Sequence, residues 1–160
     1  MDKNQPTDLE TLTDGFANAM LVTHHDDHHH ARPMHLAQVD GPDTLWFATA
    51  LDSDKVDQIR EDSAVCVTFQ GKAKFASLTG TASVVVDADK IDAMWTKSWD
   101  AWFPDGKQSN VALIKVEAEQ GEVWDLTGRH GVDFLVKAGK ALWNGSSIPS
   151  DAGKHEQVQF

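Results

Sequence analysis

Cysteine occurs once in this sequence, as Cys66, which excludes a disulfide framework. A lone cysteine in an alternating apolar stretch reads as a small buried hydrophobe and points to a reducing, cytoplasmic setting. Arginine is nearly as scarce, with Arg32, Arg60 and Arg129 the only three. No apolar run approaches the roughly eighteen residues of a membrane-spanning helix. Met1 to Glu10 is polar and acidic, without the basic-then-apolar order of a secretory signal. Positive charge is in deficit throughout, with 14 Lys+Arg against 25 Asp+Glu and a net charge of −11. Such a surface repels phosphates at long range, which argues against nucleic acid and anionic membrane as partners. Also missing are a Gly-rich phosphate loop, a nucleophile elbow and a paired-cysteine zinc pattern. Asp87, Asp89 and Asp125 form no convincing acid–base pair. Without a general base, any chemistry has to come from a cofactor.

What is present is a chain of 160 residues, 41% hydrophobic, long enough to bury a real core as one domain spanning 1–160. Leu9, Leu12 and Phe16 at helical spacing predict an N-terminal helix over 7–18. Alternating patterns then predict strands over 20–24, 30–39, 44–50, 64–70 and 75–86, with Gly80 marking a bend or bulge. A short helix over 53–61 follows the third strand, with Ser53 as its N-cap. Residues 87–103 carry Ile91, Met94, Trp95, Trp99 and Trp102 at helical spacing, and Pro104 ends them. A hairpin around Gln120-Gly121 supplies strands 111–118 and 122–127, a closing helix covers 131–142, and a polar, mobile tail runs over 144–160. The whole reads as mainly β with flanking helices, an antiparallel barrel of six to seven strands over 19–127 that closes its own edges.

One constellation stands out. Arg32, Met34 and Leu36 share one strand face, while Pro33 removes a backbone donor and places that strand beside an edge or irregularity. In the next strand Leu45, Phe47 and Thr49 share a face, with Trp46 and Ala48 opposite. Ser53-x-Lys55 then sits at a helix start, where free amides and the macrodipole attract anions. Asp52 and Asp54 flank Ser53 and would repel a phosphate unless turned away. Taken alone, Ser-x-Lys is equally what an ordinary capped helix shows. Together the residues suit a ligand with a phosphate at one end and a flat aromatic system at the other, which we read as flavin mononucleotide (FMN).

A second feature is His24-His25-Asp26-Asp27-His28-His29-His30, five imidazoles and two carboxylates between the first two strands. Imidazole suits zinc, nickel and copper, but the tract reads first as a solvated hairpin tip. The alternative makes His24, His25, His28, His29 and His30 a metal site, and the protein a metal-binding or stress-response interaction module on a barrel scaffold.

From Met20 to Asp125 the chain resembles the general stress protein branch of the pyridoxamine 5'-phosphate oxidase-like, FMN-binding split barrel superfamily. The likeness rests on ordered segments: Arg32-Pro33-Met34, Leu45-Trp46-Phe47, Ser53-x-Lys55-Val56, Ser77-Leu78-Thr79-Gly80-Thr81-Ala82, Trp102-Phe103-Pro104-x-Gly106-Lys107 and Val123-Trp124-Asp125. The resemblance implies a homodimer with FMN at its interface and a small-molecule redox partner. FAD, a deazaflavin and haem are the alternative cofactors. By motif, Arg32 and Lys55 would hold the phosphate with Ser53 assisting, beside Pro33 and Met34. Phe47, Ala48 and Thr49 would lie along the isoalloxazine, with Ser77 and Thr79 approaching from a neighbouring strand. Trp102 and Phe103 would form an aromatic wall, with Trp95 and Trp99 in the core, and Trp124 and Trp143 in core or dimer packing. Two departures matter: Gln108-Ser109-Asn110 follows Lys107 where the branch carries acidic residues and a proline, and no arginine follows Arg129. The second argues against oxidation of pyridoxamine phosphate.

Overall fold

The computed structural model describes residues 9–107, 109–128, 136–138, 140–141, 143–145 and 154–160. Seven strands are present among the described residues: β1 (Asn18–His25), β2 (His28–Asp40), β3 (Thr44–Ala50), β4 (Ala64–Gln70), β5 (Lys74–Val85), β6 (Val111–Asp125) and β7 (Lys154–Gln159). Their order is β3-β2-β1-β4-β5-β6-β7, all antiparallel, and β3 also pairs with β6 to close a six-stranded barrel. The fold class expected from sequence is the one found. No helix among the described residues is long and apolar enough to cross a membrane.

Period-two alternation builds the interior. Leu21, Phe47, Val67, Phe69, Leu78 and Ile114 point inward and are fully buried, each side chain contributing about 1.5–3 kcal/mol. On β3 the opposite face is buried as well, because Trp46 packs outside the barrel with Ile91, Trp99, Val111 and Leu113. β3 therefore joins two apolar clusters. Helix α2 (Asp54–Glu61) buries Val56 and Ile59, as its spacing predicts.

β6 is the element the sequence misrepresents. In place of a hairpin around Gln120-Gly121, one strand runs from Val111 to Asp125. Gly121 serves close approach, since a Cβ there would stand 2.7 Å from Leu78 Cδ2. The first half of β6 pairs with β3, from Thr44↔Glu117 to Ala50↔Val111, and the second half with β7, from Gln120↔Gln159 to Asp125↔Lys154. β3 and β7 thus lie end to end along one side of β6. The polar tail is accordingly not mobile over 154–159: Val158 enters the main core, and His155 stacks on Trp124 at 5.0 Å between ring centres. Gly80 does mark a bulge, where the β5–β6 register shifts between Thr79 and Gly80.

Other boundaries move for identifiable reasons. Among the described residues the N-terminal helix α1 covers Leu9–Thr13 and stops before Gly15, at φ +83°, well short of residue 18. Leu9 and Leu12 are buried as the spacing predicts, and Phe16 meets Phe69 at 5.3 Å between ring centres. The tryptophan stripe is not one helix but α3 (Ala88–Met94) followed by a 3-10 turn (Lys97–Ala101). Trp95 breaks it with extended ψ of 129°, donating its indole N–H to Asp100 Oδ1 at 2.9 Å, so that Trp95, Trp99 and Phe103 fold onto one another. Cys66 is half-buried rather than buried, with Sγ 3.7 Å from Ser77 Oγ. Trp143 is 91% exposed in the single chain. The closing helix expected over 131–142 lies largely outside the described residues, although 136–138, 140–141 and 143–144 are helical.

The histidine tract is not a loop between strands but the end of the β1–β2 ladder itself. Only Asp26 and Asp27 form the turn, both left-handed at φ 48° and 59°, the conformation a two-residue hairpin loop requires.

Candidate functional site

Five neighbouring elements make a cavity of about 400 Å³, inside the range of roughly 300–1,000 Å³ usual for small-molecule sites. β1 and β2 supply Asn18, Pro33, Met34 and His35, while β3 and α2 supply Ala48, Thr49, Ala50 and Lys55. The 3-10 turn and its exit supply Ser98, Trp99, Trp102 and Phe103. One end is cationic and the other aromatic.

The cationic end is held by a directed chain of hydrogen bonds. Lys55 Nζ donates to Thr49 Oγ1 at 3.1 Å. Ser53 Oγ gives its proton to the Ala50 carbonyl at 2.8 Å, so at 3.2 Å it accepts from the Thr49 hydroxyl. Having spent its hydroxyl this way, Ser53 occupies the N-cap position of α2 without capping it. The Ser53 side chain thus caps no first-turn amide of α2, although the Val56 N–H donates to the Ser53 carbonyl at 2.9 Å, and a helix start without a side-chain cap favours an anion.

Arg32 stands behind Lys55. Its guanidinium donates to Thr23 Oγ1 and to Gln58 Oε1, both at 2.7 Å, and Thr23 in turn donates to Gln58 at 2.6 Å. Part of the five-donor fork stays uncommitted. Burial lowers the Arg32 pKa against the opposing pull of Asp54. Burial also lowers that of Lys55; Arg32 adds to the effect, and Asp54 again opposes it. Two half-buried cations therefore repel each other, and the Asp54 carboxylate offsets this only in part. The other suspect acid, Asp52, is turned to Asn110, accepting from its Nδ2 at 2.8 Å, while the Asn110 backbone adopts φ 50° to make the contact.

At the aromatic end Trp102 is 79% exposed, and Phe103 rests on Trp95 and Trp99 at 5.9 and 6.3 Å between ring centres. Of the residues singled out from sequence, Pro33, Met34, Ala48, Thr49, Lys55, Trp102 and Phe103 line this cavity. Arg32 and Ser53 do not line it and bear on it through neighbours, Ser53 by its bond to Thr49 and Arg32 by its charge beside Lys55. Phe47 does not reach it, because its side chain is fully buried inside the barrel. Ser77 and Thr79 line a different cavity of about 370 Å³, with Gln120, Gln157 and Gln159. Sequence reasoning missed Asn18, His35, Ala50 and Ser98. Asn18 was hidden inside an overlong helix, and it faces His35 across the β1–β2 register, Nδ1 to Oδ1 at 3.2 Å. Trp99, expected in the core, serves both the core and the cavity wall.

Comparison with known proteins adds an independent line. The pyridoxamine 5'-phosphate oxidase like family profile matches residues 4–149. General stress protein 26 of Jannaschia sp. CCS1 superposes with a TM-score of 0.67 at 24% identity, covering 93% of this chain and 94% of that one. The general stress FMN/FAD binding protein of Xanthomonas citri gives a TM-score of 0.63 at 27% identity, covering 71% and 83%. A Clostridium acetobutylicum protein related to general stress protein 26 gives 0.65 at 19% identity, over 71% and 83%, a likeness of fold alone. No curated protein matches the sequence. A profile match that runs almost from end to end, on a barrel that shares its fold with these structures, makes this chain a member of the pyridoxamine 5'-phosphate oxidase-like family.

Proposed function

We propose that the chain binds FMN in the cavity between β2, β3 and the tryptophan-rich turn, and serves a flavin-dependent redox or flavin-carrying role as a homodimer. The observation that carries this reading is Lys55 at one end of a cavity with aromatic walls at the other, with Arg32 near enough to act on the Lys55 charge. Like charges held together in partial burial repel unless an anion joins them, and a phosphate has the charge and the acceptor oxygens to do so. Lys55, backed by Arg32 and the uncapped amides of α2, would hold the phosphate. Ala48, Thr49, Trp99, Trp102 and Phe103 offer apolar and aromatic surface for the ring system. When bound, the flavin would supply hydride or electron transfer, chemistry for which the chain has no side chains of its own.

The chain's part is binding, orientation and shielding. The Lys55–Thr49–Ser53 chain fixes the ammonium position, and the Thr23–Gln58 pair fixes the guanidinium plane. The exposed face of Trp102 in a single chain supports a second copy covering the cavity mouth. Ser77 and Thr79 would then approach the ring from the partner subunit, since within one chain they face another cavity. A cytoplasmic setting belongs to the same proposal and is supported by the single unpaired Cys66.

FMN titration into untagged apoprotein, read by flavin fluorescence, tests the reading. Submicromolar binding at one FMN per subunit is expected, with riboflavin, which lacks the phosphate, weaker by roughly 10- to 150-fold. Equal affinity for the two would remove the phosphate assignment, and no binding of either would remove the flavin function.

A further inference from the structure

The histidine tract is not used by the flavin site, and its five imidazoles are not equivalent. His25 has both ring nitrogens engaged, Nδ1 with Glu61 at 2.7 Å and Nε2 with Asp26 at 3.2 Å. His28 is tied through Nδ1 to the Asp26 carbonyl of its own turn. These two brace the hairpin. His24 and His29 differ: they are direct cross-strand partners, with ring centres 5.2 Å apart. The two-residue loop makes His25 and His28 the hydrogen-bonded closing pair. His24 and His29 therefore form the next, non-hydrogen-bonded pair, whose side chains lie closest.

From this geometry we propose that His24 and His29 chelate a divalent transition-metal ion of the zinc and copper class. Two imidazoles on one tetrahedral ion, with metal–nitrogen bonds of about 2.0–2.1 Å, have ring centres roughly 5 Å apart. The observed separation of 5.2 Å matches that spacing. His24 Nδ1 lies 3.2 Å from Asp62 Oδ2, an N–H to carboxylate bond that leaves the Nε2 lone pair for the ion. Asp62 is itself fixed by accepting from the Ala64 amide at 3.0 Å. His24, His29, Asp62, Cys66 and Glu119 all line one open cavity of about 570 Å³, which gives the ion room and a polar approach. No three His, Cys, Asp or Glu side chains among the described residues converge as a complete shell. Water must fill the remaining positions, so the site is an open and exchangeable one. Copper should bind more tightly than zinc, as the general order for nitrogen ligands requires.

Calorimetric titration of zinc chloride into the untagged full chain, in a non-chelating buffer, tests the site. One ion per chain is expected, with affinity falling at least about tenfold in His24→Ala and in His29→Ala, and about 10- to 100-fold in Asp62→Asn. His28→Ala should bind as the parent does. Histidine ring NMR of the unaltered chain provides a check that needs no variant: zinc should move the His24 and His29 signals first. Unchanged affinity in both His24→Ala and His29→Ala overturns the proposal. So does a loss spread evenly over all five histidines, which marks adventitious binding, or the absence of zinc binding by the parent.

Discussion

Arg32→Ala is expected to raise the Kd for FMN by roughly 10- to 150-fold, the worth of one charge-assisted contact at about 1.5–3 kcal/mol. The variant should fold, because the Thr23–Gln58 hydrogen bond beneath the guanidinium survives without it. Lys55→Ala should have an effect of the same order, and it also strips the Thr49 hydroxyl of its donor. Contacts to one phosphate are coupled, so the double variant should lose less than the product of the two single effects. The diagnostic comparison is with riboflavin. If the two cations hold the phosphate, both variants weaken FMN binding and leave riboflavin binding nearly unchanged, so the gap between the ligands narrows. Parallel FMN and riboflavin titrations, with thermal melts as a folding control, read this directly. Undiminished FMN affinity in both single variants would remove Arg32 and Lys55 from the phosphate site.

Gly80→Ala is expected to cost about 3 kcal/mol, the upper part of the usual range for overpacking. A Cβ at this position would stand 2.0 Å from the Glu117 carbonyl oxygen, 2.9 Å from its carbon and 3.0 Å from Ala118 Cα. All three obstacles are backbone, so no side chain can rotate away, and relief requires opening the β5–β6 bulge. Gly106 supplies the contrast. It has φ +90° and nothing within 4 Å of its would-be Cβ, so Gly106→Ala meets only the backbone preference, roughly 1 kcal/mol. For a chain of this size, 3 kcal/mol corresponds to a fall in Tm of about 6–12 °C. Urea unfolding of both variants measures the difference. A Gly80→Ala variant no less stable than Gly106→Ala would mean that the bulge yields easily.

Residues whose environment is local were legible in the sequence. The two faces of β3 and the bulge at Gly80 follow from alternation and the cost of a Cβ, and Ser53 marks the start of α2 although its hydroxyl bonds Ala50 rather than capping the helix. Arg32 and Lys55 could be paired in advance because so few arginines compete for an anion. What was not legible depends on contacts distant along the chain. Gly121 reads as a turn residue, but it lies in mid-strand because Leu78 and Phe160 need its space. The polar 154–160 segment has no apolar run to betray a strand, yet the free half of the β6 edge recruits it. His35 reads as a lone packing residue, and only its register with Asn18 brings it to the cavity.

The sharing of β6 also sets an order of folding events. The β1–β2 hairpin, closed by two aspartates, needs only local contacts and can form early. Joining β3 to β6 brings together segments far apart along the chain, so barrel closure carries the large loop-closure entropy and is the slow step. β7 contributes nothing to that closure, since it occupies the half of the β6 edge that β3 leaves free. Until it docks, a closed barrel displays a row of unpaired backbone groups over Gln120 to Asp125, the template on which a second chain could add. The C-terminal strand thus covers the half of the β6 edge that β3 leaves free, and the interval before it arrives is the window in which concentrated refolding would produce aggregates.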